Sequence, residues 1–371
     1  MPSTTPWACA SPTCPSHPPR YCAPCVRWKA RQEPDPMLRL PPYRLLEPSS
    51  AEEAVKLLTD EPGEAMLIAG GTDLVPNMKH GLFEPKTVIS LAKVEGLEGV
   101  SDSDAGLRLG PMTTLADASQ NELIIERAPA LAQAAGVVAG PQLRNVGTLG
   151  GNLMLDTRCR WYNQTYFWRK GLGYCLKKDG TLCHVVEGGA RCVAAASNDT
   201  VPALMTLNAS AVFLGPDGER EVAIADLWTN DGIVNKKVSA DELLIAIKVP
   251  PQAPGHHGTY AKLRRRDSID FPLFGCAVRL DLDEKGTVSG ADLAAVALVA
   301  RPMRVKGVEE LLLGTKPGSE AFDQAVEEVA QLAYKRCRPL DNVPGDAEWR
   351  REMVPVYVRR ALRSATASSG A

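Results

Sequence analysis

The sequence predicts an α+β protein in which an α/β module is followed by a smaller α+β domain. Two observations predict this fold. Short apolar strands alternate with amphipathic helices from Leu38 onward. A further domain is expected to begin near His256, and its sequence indicates antiparallel strands around a turn at Glu284 to Gly286. Alternating strands and helices are typical of α/β units, and consecutive strands around a short turn are typical of antiparallel pairs. We expect three structured parts: 37–98, 99–255 and 256–371.

The elements of the first part follow in chain order. "SSAEEAVKLLTD" places Ser50 to cap a helix, with Glu53 three residues later as the second half of a capping box. "AMLIAGGTDL" predicts a short strand that breaks at two glycines, and "TVISLAKV" predicts the next strand. "GLRLGPMTTLADASQ" predicts a strand, a turn and a helix that begins near Thr114.

The remaining elements are predicted in the same way. The helix "APALAQAAGVV" leads to "GPQLRNVGTLGGNL", which holds a second pair of glycines. "VPALMTLNASAVFLGPDGEREVAIADL" predicts a helix and a hairpin that turns at Gly215 to Gly218. "DELLIAIKVP" and "GTYAKLRRRD" predict strands. The sequence pattern at the end of the chain predicts mostly helices, one of which ends at Gly314.

Composition limits the classes of partner. The 371 residues carry a formal net charge of -2, which gives no electrostatic reason to expect a nucleic acid or an anionic membrane. No window approaches the roughly 20 apolar residues that span a bilayer, and the N-terminus lacks the apolar core of a secretory signal. We therefore expect a cytoplasmic protein, in which clustered thiols more often hold metal than form disulfides.

The first 36 residues are rich in proline and lack periodic apolar residues, so we expect a disordered extension with Met37 opening the domain. The extension holds four cysteines and a histidine: Cys9, Cys14, Cys22, Cys25 and His17. A single C-x2-C pair indicates a zinc site only weakly. Elsewhere, Cys276 lies in an apolar run and is expected to be an inert core residue, and Cys337 receives no role.

Two loops place paired glycines after an apolar segment, at Ala69 to Leu74 and at Thr148 to Asn152. Without side chains, backbone N–H groups can approach a ligand closely, and a diphosphate is the usual ligand. Neither loop matches G-x-G-x-x-G or the P-loop, which disfavours a nicotinamide site or a nucleotide triphosphatase. Taken alone, each loop would more often be a tight turn without a ligand.

The segment "TRCRWYNQTYFWRKGLGYCLKKDGTLCHVVEGGARC" gathers six of the twenty aromatic residues and four of the ten cysteines: Cys159, Cys175, Cys183 and Cys192. Four thiolates can hold a tetrahedral zinc ion or an iron–sulfur cluster. The absence of a C-x2-C pair fits structural zinc poorly. The aromatic rings would exclude water from a redox centre, or give the loop a small core of its own. We expect His184 to lie behind the ligands or to face solvent.

The two glycine loops, "GPMTTLAD" between them and "AKLRRRDSIDFPL" after them resemble the FAD-binding subunits of the xanthine dehydrogenase and carbon monoxide dehydrogenase family, from Leu38 to about Arg363. The resemblance implies a PCMH-type FAD-binding α/β module of two subdomains. It also implies an iron–sulfur loop inserted at about 156–196, and a CO-dehydrogenase-flavoprotein-like C-terminal α+β domain with a helical tail.

The resemblance also implies the residues that contact FAD: Leu67, Ile68, Ala69, Gly70, Gly71, Thr72, Asp73, Leu74, Thr148, Leu149, Gly150, Gly151, Asn152, Asp199 and Lys262. In this set Asp199 would lie near the ribityl chain and Lys262 at the flavin edge, where a positive charge stabilises a reduced, anionic flavin. Arg264 and Asp267 are further candidates for this set. The neighbouring Arg265 and Arg266 fit a solvated strand face equally well.

"GGNLMLDTRCRWYNQT", "YCLKKDGTLCHVV" and "RCVAAASND" resemble the flavin (β) subunit of the 4-hydroxybenzoyl-CoA reductase branch, which carries an extra 4Fe-4S cluster in this loop. The resemblance implies that the four cysteines of the segment are the cluster ligands. It further implies that ferredoxin supplies electrons, which pass through the cluster and FAD to a 2Fe-2S small subunit and a molybdopterin-binding large subunit. The assembly, a dimer of heterotrimers, would dehydroxylate its substrate to benzoyl-CoA, and this chain would have no catalytic residue.

Two other functions stay open. One is the FAD subunit of an oxidising molybdenum hydroxylase, in which electrons would run outward and the cysteine segment would be hard to explain. The other is a non-catalytic zinc-binding scaffold built on a flavin fold without its cofactor. Intact glycine pairs in both loops argue against the scaffold.

Overall fold

The structure is a computed structural model that describes residues 38–367. The predicted extension at 1–36, with its four cysteines and His17, lies outside the described residues. The described chain forms three sheets of three, five and four strands. Among the described residues, no helix is long and apolar enough to cross a membrane.

The first sheet is parallel, with strand order β1-β3-β2. Its elements are β1 (Arg44–Leu46), α1 (Ala51–Asp60), β2 (Ala65–Ile68), α2 (Leu74–Lys79) and β3 (Thr87–Ser90). Ser50 caps α1 as predicted, because its hydroxyl accepts a hydrogen bond from the Glu53 amide. The Glu53 carboxylate reaches back to the amide of Ser49 rather than to that of Ser50. Helix α1 buries Ala54 and Leu58 in the core of this part.

The second sheet is antiparallel, with strand order β4-β5-β8-β6-β7. Its strands are β4 (Val100–Ser103), β5 (Gly106–Leu109), β6 (Ser210–Gly215), β7 (Gly218–Ala223) and β8 (Leu243–Val249). Strand and helix alternation alone would predict parallel pairs here. The strands run antiparallel because tight turns join two pairs of them, at Ser103 to Gly106 and at Gly215 to Gly218.

Seven short helices lie between β5 and β6. They are α3 (Leu115–Gln120), α4 (Glu122–Arg127), α5 (Pro129–Gly136), α6 (Pro141–Arg144), α7 (Leu149–Leu153), α8 (Tyr166–Leu172) and α9 (Thr200–Thr206). Helix α3 begins near Thr114 as predicted, and Thr114 caps it by accepting a hydrogen bond from the Asp117 amide. Asn121, Thr148 and Thr165 cap α4, α7 and α8 in the same way. Side-chain caps therefore set the starts of several of these helices.

The third sheet is antiparallel, with order β12-β11-β10-β9. Its elements and the helical tail are β9 (His256–Leu263), β10 (Phe274–Leu282), β11 (Val288–Val296), β12 (Met303–Arg304), α10 (Val308–Leu312), α11 (Glu320–Arg336) and α12 (Ala347–Ala367). Strand β10 serves two cores, because successive side chains face opposite sides of a sheet. Ala277 packs in the core of the second part, and Cys276 packs with α11 and α12. Cys276 and Cys337 are both fully buried, so Cys276 is a core residue as predicted.

Candidate functional site

The first glycine loop connects β2 to α2. Gly71 has a φ of +69°, which favours glycine, and a side chain at Gly70 would overlap the carbonyl of Val146. Glycine at position 70 thus lets this loop touch the segment that leads to the second loop. Among the described residues, the amides of Gly70, Gly71 and Thr72 donate to no group. A row of unpaired amides at the end of a strand is suited to bind an anion.

The second glycine loop has paired amides instead. Gly150 donates to the Pro111 carbonyl at 2.8 Å, and Gly151 donates to the Thr148 hydroxyl at 3.0 Å. The Asn152 side-chain oxygen accepts hydrogen bonds from the amide and the hydroxyl of Thr200, at 3.1 and 2.7 Å. Hydrogen bonds within the protein thus fix the second loop. Its contacts with FAD stay a prediction.

Asp199 and Lys262 lie together in a buried cluster. Both side chains are 2% exposed, and the Lys262 ammonium lies 3.1 Å from the Asp199 carboxylate. Tyr260, which the sequence analysis did not single out, donates its hydroxyl to the same carboxylate at 2.7 Å. Tyr260 and Lys262 share one face of β9 because they are two residues apart; that spacing in "TYAK" was the available signal. Burial raises the pKa of Asp199, and the charge of Lys262 opposes that rise.

Lys262 joins two loops rather than leaving its ammonium free. It also donates to the carbonyls of Val137 and Asp270, each at 3.1 Å. The Asp270 carboxylate accepts hydrogen bonds from the Arg264 guanidinium at 2.6 and 3.1 Å and from the Arg266 amide at 3.2 Å. Arg264 therefore fixes its own loop. Arg265, Arg266 and Asp267 are exposed on that loop. Exposure fits a solvated face for the two arginines, and the flavin contact of Asp267 stays a prediction.

Arg158 connects the first glycine loop to this same loop, and the sequence analysis did not single it out. Its guanidinium forms an ion pair with Asp73 and lies 4.4 Å from the ring centroid of Phe271. The Arg158 side chain is 9% exposed and that of Asp73 is 30% exposed. Burial lowers the pKa of Arg158 to about 10. Gly70 to Asp73, together with Phe271, are called the glycine-loop surface below.

The four cysteines of the aromatic-rich segment line one cavity, which we call the cysteine cavity: Cys159, Cys175, Cys183 and Cys192. Trp161, Tyr162, Lys177 and His184 also line it. Over residues 38–367, no group of three or more histidine, cysteine or acidic side chains is placed to hold a metal ion. The chain thus brings the four predicted ligands around one space, but they do not form a metal-binding group there.

Polar groups of the protein surround the buried sulfurs. Backbone amides of Trp161 and Tyr162 hydrogen-bond to Cys159, and the Ala194 amide donates to the Cys192 sulfur at 3.5 Å. Burial raises the pKa of the Cys159 thiol to about 12, and burial also raises that of Cys192. Without a bound cation the thiols of Cys159 and Cys192 would stay protonated, whereas a metal displaces the protons of its thiol ligands.

The segment around the cysteine cavity is fixed to the rest of the protein. Its two ends pair where Arg158 and Ala195 exchange backbone hydrogen bonds at 2.8 and 2.7 Å. Arg169, on α8, is fully buried and donates to the carbonyls that follow α2. A ring nitrogen of His184 lies 2.5 Å from the Tyr174 carbonyl oxygen. That nitrogen therefore hydrogen-bonds to the backbone and is not free to act as a metal ligand.

Comparison with known proteins finds two family models. "FAD binding domain in molybdopterin dehydrogenase" matches residues 41–252, and "CO dehydrogenase flavoprotein C-terminal domain" matches residues 258–365. The fold is therefore the predicted one, an FAD-binding α/β module followed by a C-terminal domain of the CO dehydrogenase flavoprotein type.

Relatives and a solved structure agree with this match. The carbon monoxide dehydrogenase medium chain of Hydrogenophaga pseudoflava is 29% identical over 328 residues, covering 88% of this chain and 98% of that one. The xanthine dehydrogenase FAD-binding subunit of Escherichia coli O157:H7 is 26% identical over 320 residues, covering 86% and 94%. A structure of carbon monoxide dehydrogenase from H. pseudoflava superposes with a TM-score of 0.72 at 28% identity, covering 89% and 99%.

Proposed function

The chain belongs to the family of FAD-binding subunits of molybdopterin dehydrogenases, of the carbon monoxide and xanthine dehydrogenase type, and from that premise we propose an electron-transfer subunit with two redox groups. FAD would lie on the glycine-loop surface, and a 4Fe-4S cluster would lie in the cysteine cavity. The observation that carries the second half of this proposal is that four cysteines, spread over 34 residues of sequence from Cys159 to Cys192, line one cavity.

The residues of the first glycine loop fit a flavin dinucleotide. When bound, FAD supplies exchange of two electrons. The free amides of Gly70, Gly71 and Thr72 would donate to the diphosphate oxygens, and Arg158 offsets the charge of the adjacent Asp73. The contacts of the remaining predicted residues, including Asp199 and Lys262, are proposed with it. In this structure those two side chains bind each other, so their effect on FAD would be to hold the surrounding loops.

The cysteine cavity fits a cluster better than a zinc ion. A tetrahedral zinc ion lies about 2.3 Å from each of four sulfurs and therefore draws them into one tight group. The four cysteines lack a C-x2-C pair, which fits structural zinc poorly, and they line one cavity, as ligands of one cluster would. Amide hydrogen bonds to sulfur, such as that of Ala194 to Cys192, would tune the potential of the cluster. The missing C-x2-C pair is thus our reason for preferring a cluster to the zinc-binding scaffold.

Two candidate enzymes differ in the direction of electron flow: an oxidising molybdenum enzyme and a reductive dehydroxylase. The names of the relatives, carbon monoxide dehydrogenase and xanthine dehydrogenase, favour an oxidising molybdenum enzyme. The cysteine cavity favours the second candidate, the ferredoxin-fed reductive dehydroxylation of 4-hydroxybenzoyl-CoA. In both, the partners are a molybdopterin-binding large subunit and a 2Fe-2S small subunit, assembled as a dimer of heterotrimers. The domain limits at 98 and 255 and the cytoplasmic location remain predictions.

Measurements on the purified chain without its partner subunits test this proposal. We expect the purified protein to contain FAD and to reduce artificial electron acceptors when supplied with a reductant, because electron exchange needs only the flavin. We expect no dehydroxylation of 4-hydroxybenzoyl-CoA by the chain alone, since that reaction requires the partner that carries molybdenum. The measurements are the flavin released on denaturation and the yield of benzoyl-CoA. A colourless protein, or dehydroxylation by this chain alone, would contradict the proposal.

A further inference from the structure

Two arginines of the cysteine-rich segment hold the two ends of α2, the helix that follows the first glycine loop. At the start of α2, Arg158 pairs with Asp73, the residue that precedes the helix. At its end, Arg169 donates to the carbonyls of His80 and Gly81, at 3.2 and 3.0 Å. The segment that forms the cysteine cavity therefore also fixes the helix that carries the glycine loop.

Arg158 is placed where three parts of the chain meet. Its backbone pairs with Ala195 at the base of the cysteine-rich segment, and the next residue is Cys159. Its guanidinium contacts Asp73 on the first glycine loop and the ring of Phe271 on the loop that follows β9. Arg158 therefore contacts both parts of the glycine-loop surface.

Arg158 would affect the binding of an anion to the glycine loop because it neutralises the charge of Asp73. Asp73 directly follows Thr72, whose amide is free, and its carboxylate is 30% exposed. A carboxylate without a partner at this place would repel a diphosphate, since two like charges a few ångströms apart interact unfavourably even near a protein surface. The ion pair with Arg158 removes most of that repulsion.

We propose that Arg158 is a positioning residue for FAD: it neutralises Asp73 and holds the glycine loop open to a diphosphate. The inference rests on the proposed function, because it takes FAD as the ligand of this loop. The effect depends on charge, so Arg158→Lys preserves it and Arg158→Met removes it. Because the target of the charge is Asp73, a second change, Asp73→Asn, restores binding in the Arg158→Met background.

The test measures the Kd for FAD by flavin fluorescence on full-length protein freed of flavin. We expect Arg158→Met to weaken binding about ten-fold, with Arg158→Lys and the double variant Arg158→Met/Asp73→Asn each within about three-fold of wild type. A purely structural role for Arg158 would not be rescued by Asp73→Asn. Arg160→Met is the matched control, because Arg160 forms an ion pair with Asp341 on the surface, and it should bind as wild type.

The outcomes separate this inference from the proposed function. Wild-type affinity in Arg158→Met, or a double variant that folds but binds as weakly as Arg158→Met, overturns the inference while FAD binding by the wild type stands. Absence of FAD binding by the wild type overturns the proposed function and this inference with it. If Arg158→Met does not fold, Arg158→Lys and the double variant decide: binding by both within about three-fold of wild type supports the inference, and loss in either overturns it.

Discussion

Asp199 is a carboxylate without access to water, and its charge is balanced by one lysine. The carboxylate accepts one hydrogen bond from Tyr260 and one from Lys262. Burial raises its pKa above the usual value, whereas Lys262 and Tyr260 favour the ionised form. The sequence indicated Asp199 and Lys262 only as separate flavin contacts. Their mutual contact depends on β9 meeting the start of α9, which no local pattern in the chain encodes.

Removal of the lysine should destabilise the protein in a way that depends on pH. Lys262→Met leaves Asp199 buried without its cation, and breaking a buried pair costs about 3–5 kcal/mol. The folded-state pKa of Asp199 then rises further above its unfolded value. Stability from such a group is fully present below the unfolded pKa and is lost as pH rises through the folded pKa. We therefore expect a large loss of unfolding free energy at pH 8 and a smaller loss at pH 5, measured by urea denaturation.

A surface lysine provides the control for this change. Lys93 pairs with Glu47, and both side chains are well exposed, so Lys93→Met should cost less than about 1 kcal/mol at either pH. Lys262→Met/Asp199→Asn should recover part of the loss at pH 8, because no charge is then buried alone. Equal destabilisation by Lys262→Met at both pH values would show that Asp199 does not carry the effect.

The contact between the two glycine loops depends on a missing side chain. An alanine at Gly70 would place its Cβ against the Val146 carbonyl, so the loops would have to separate. We expect Gly70→Ala to lower the unfolding free energy by about 1–3 kcal/mol and to reduce the FAD retained on purification. Thermal unfolding and flavin content measure the two effects.

Gly171, the second-last residue of α8, offers a matched glycine. A Cβ there meets no atom within 4 Å, so Gly171→Ala should leave flavin content unchanged and stabilise the protein by about 0.4–1 kcal/mol. Loss of flavin in both variants would mean that retention does not depend on the contact at Gly70.

Elements with local signals were predictable, and elements set by distant contacts were not. Ser50 caps α1 and α3 begins near Thr114 as predicted, since a cap needs only neighbours in sequence. The hairpin at Gly215 to Gly218 was also predicted from its turn residues. The antiparallel order of the second sheet was not, because β5 and β8 pair across more than a hundred residues. Helix α12 continues through Pro355, where a local pattern would end it.

The candidate site takes residues from all three predicted parts of the chain. Asp73 comes from the first, Arg158 and Asp199 from the second, and Lys262 and Phe271 from the third. The paired glycines and the cysteines were visible as motifs in the sequence. The residues that join them, Arg158 above all, were not, because an isolated arginine between a threonine and a cysteine carries no local signal.

We propose that this one chain holds FAD and an iron–sulfur cluster in separate sites. The most direct measurement is the content of FAD, iron and sulfide per chain after anaerobic purification, with an EPR spectrum after reduction by dithionite. We expect one FAD, about four irons and about four sulfides. Cys175→Ala should lose the iron and its signal but keep FAD, and Cys276→Ala, which removes a buried thiol elsewhere, should keep both. FAD with no iron, or with one zinc ion in its place, would contradict the claim.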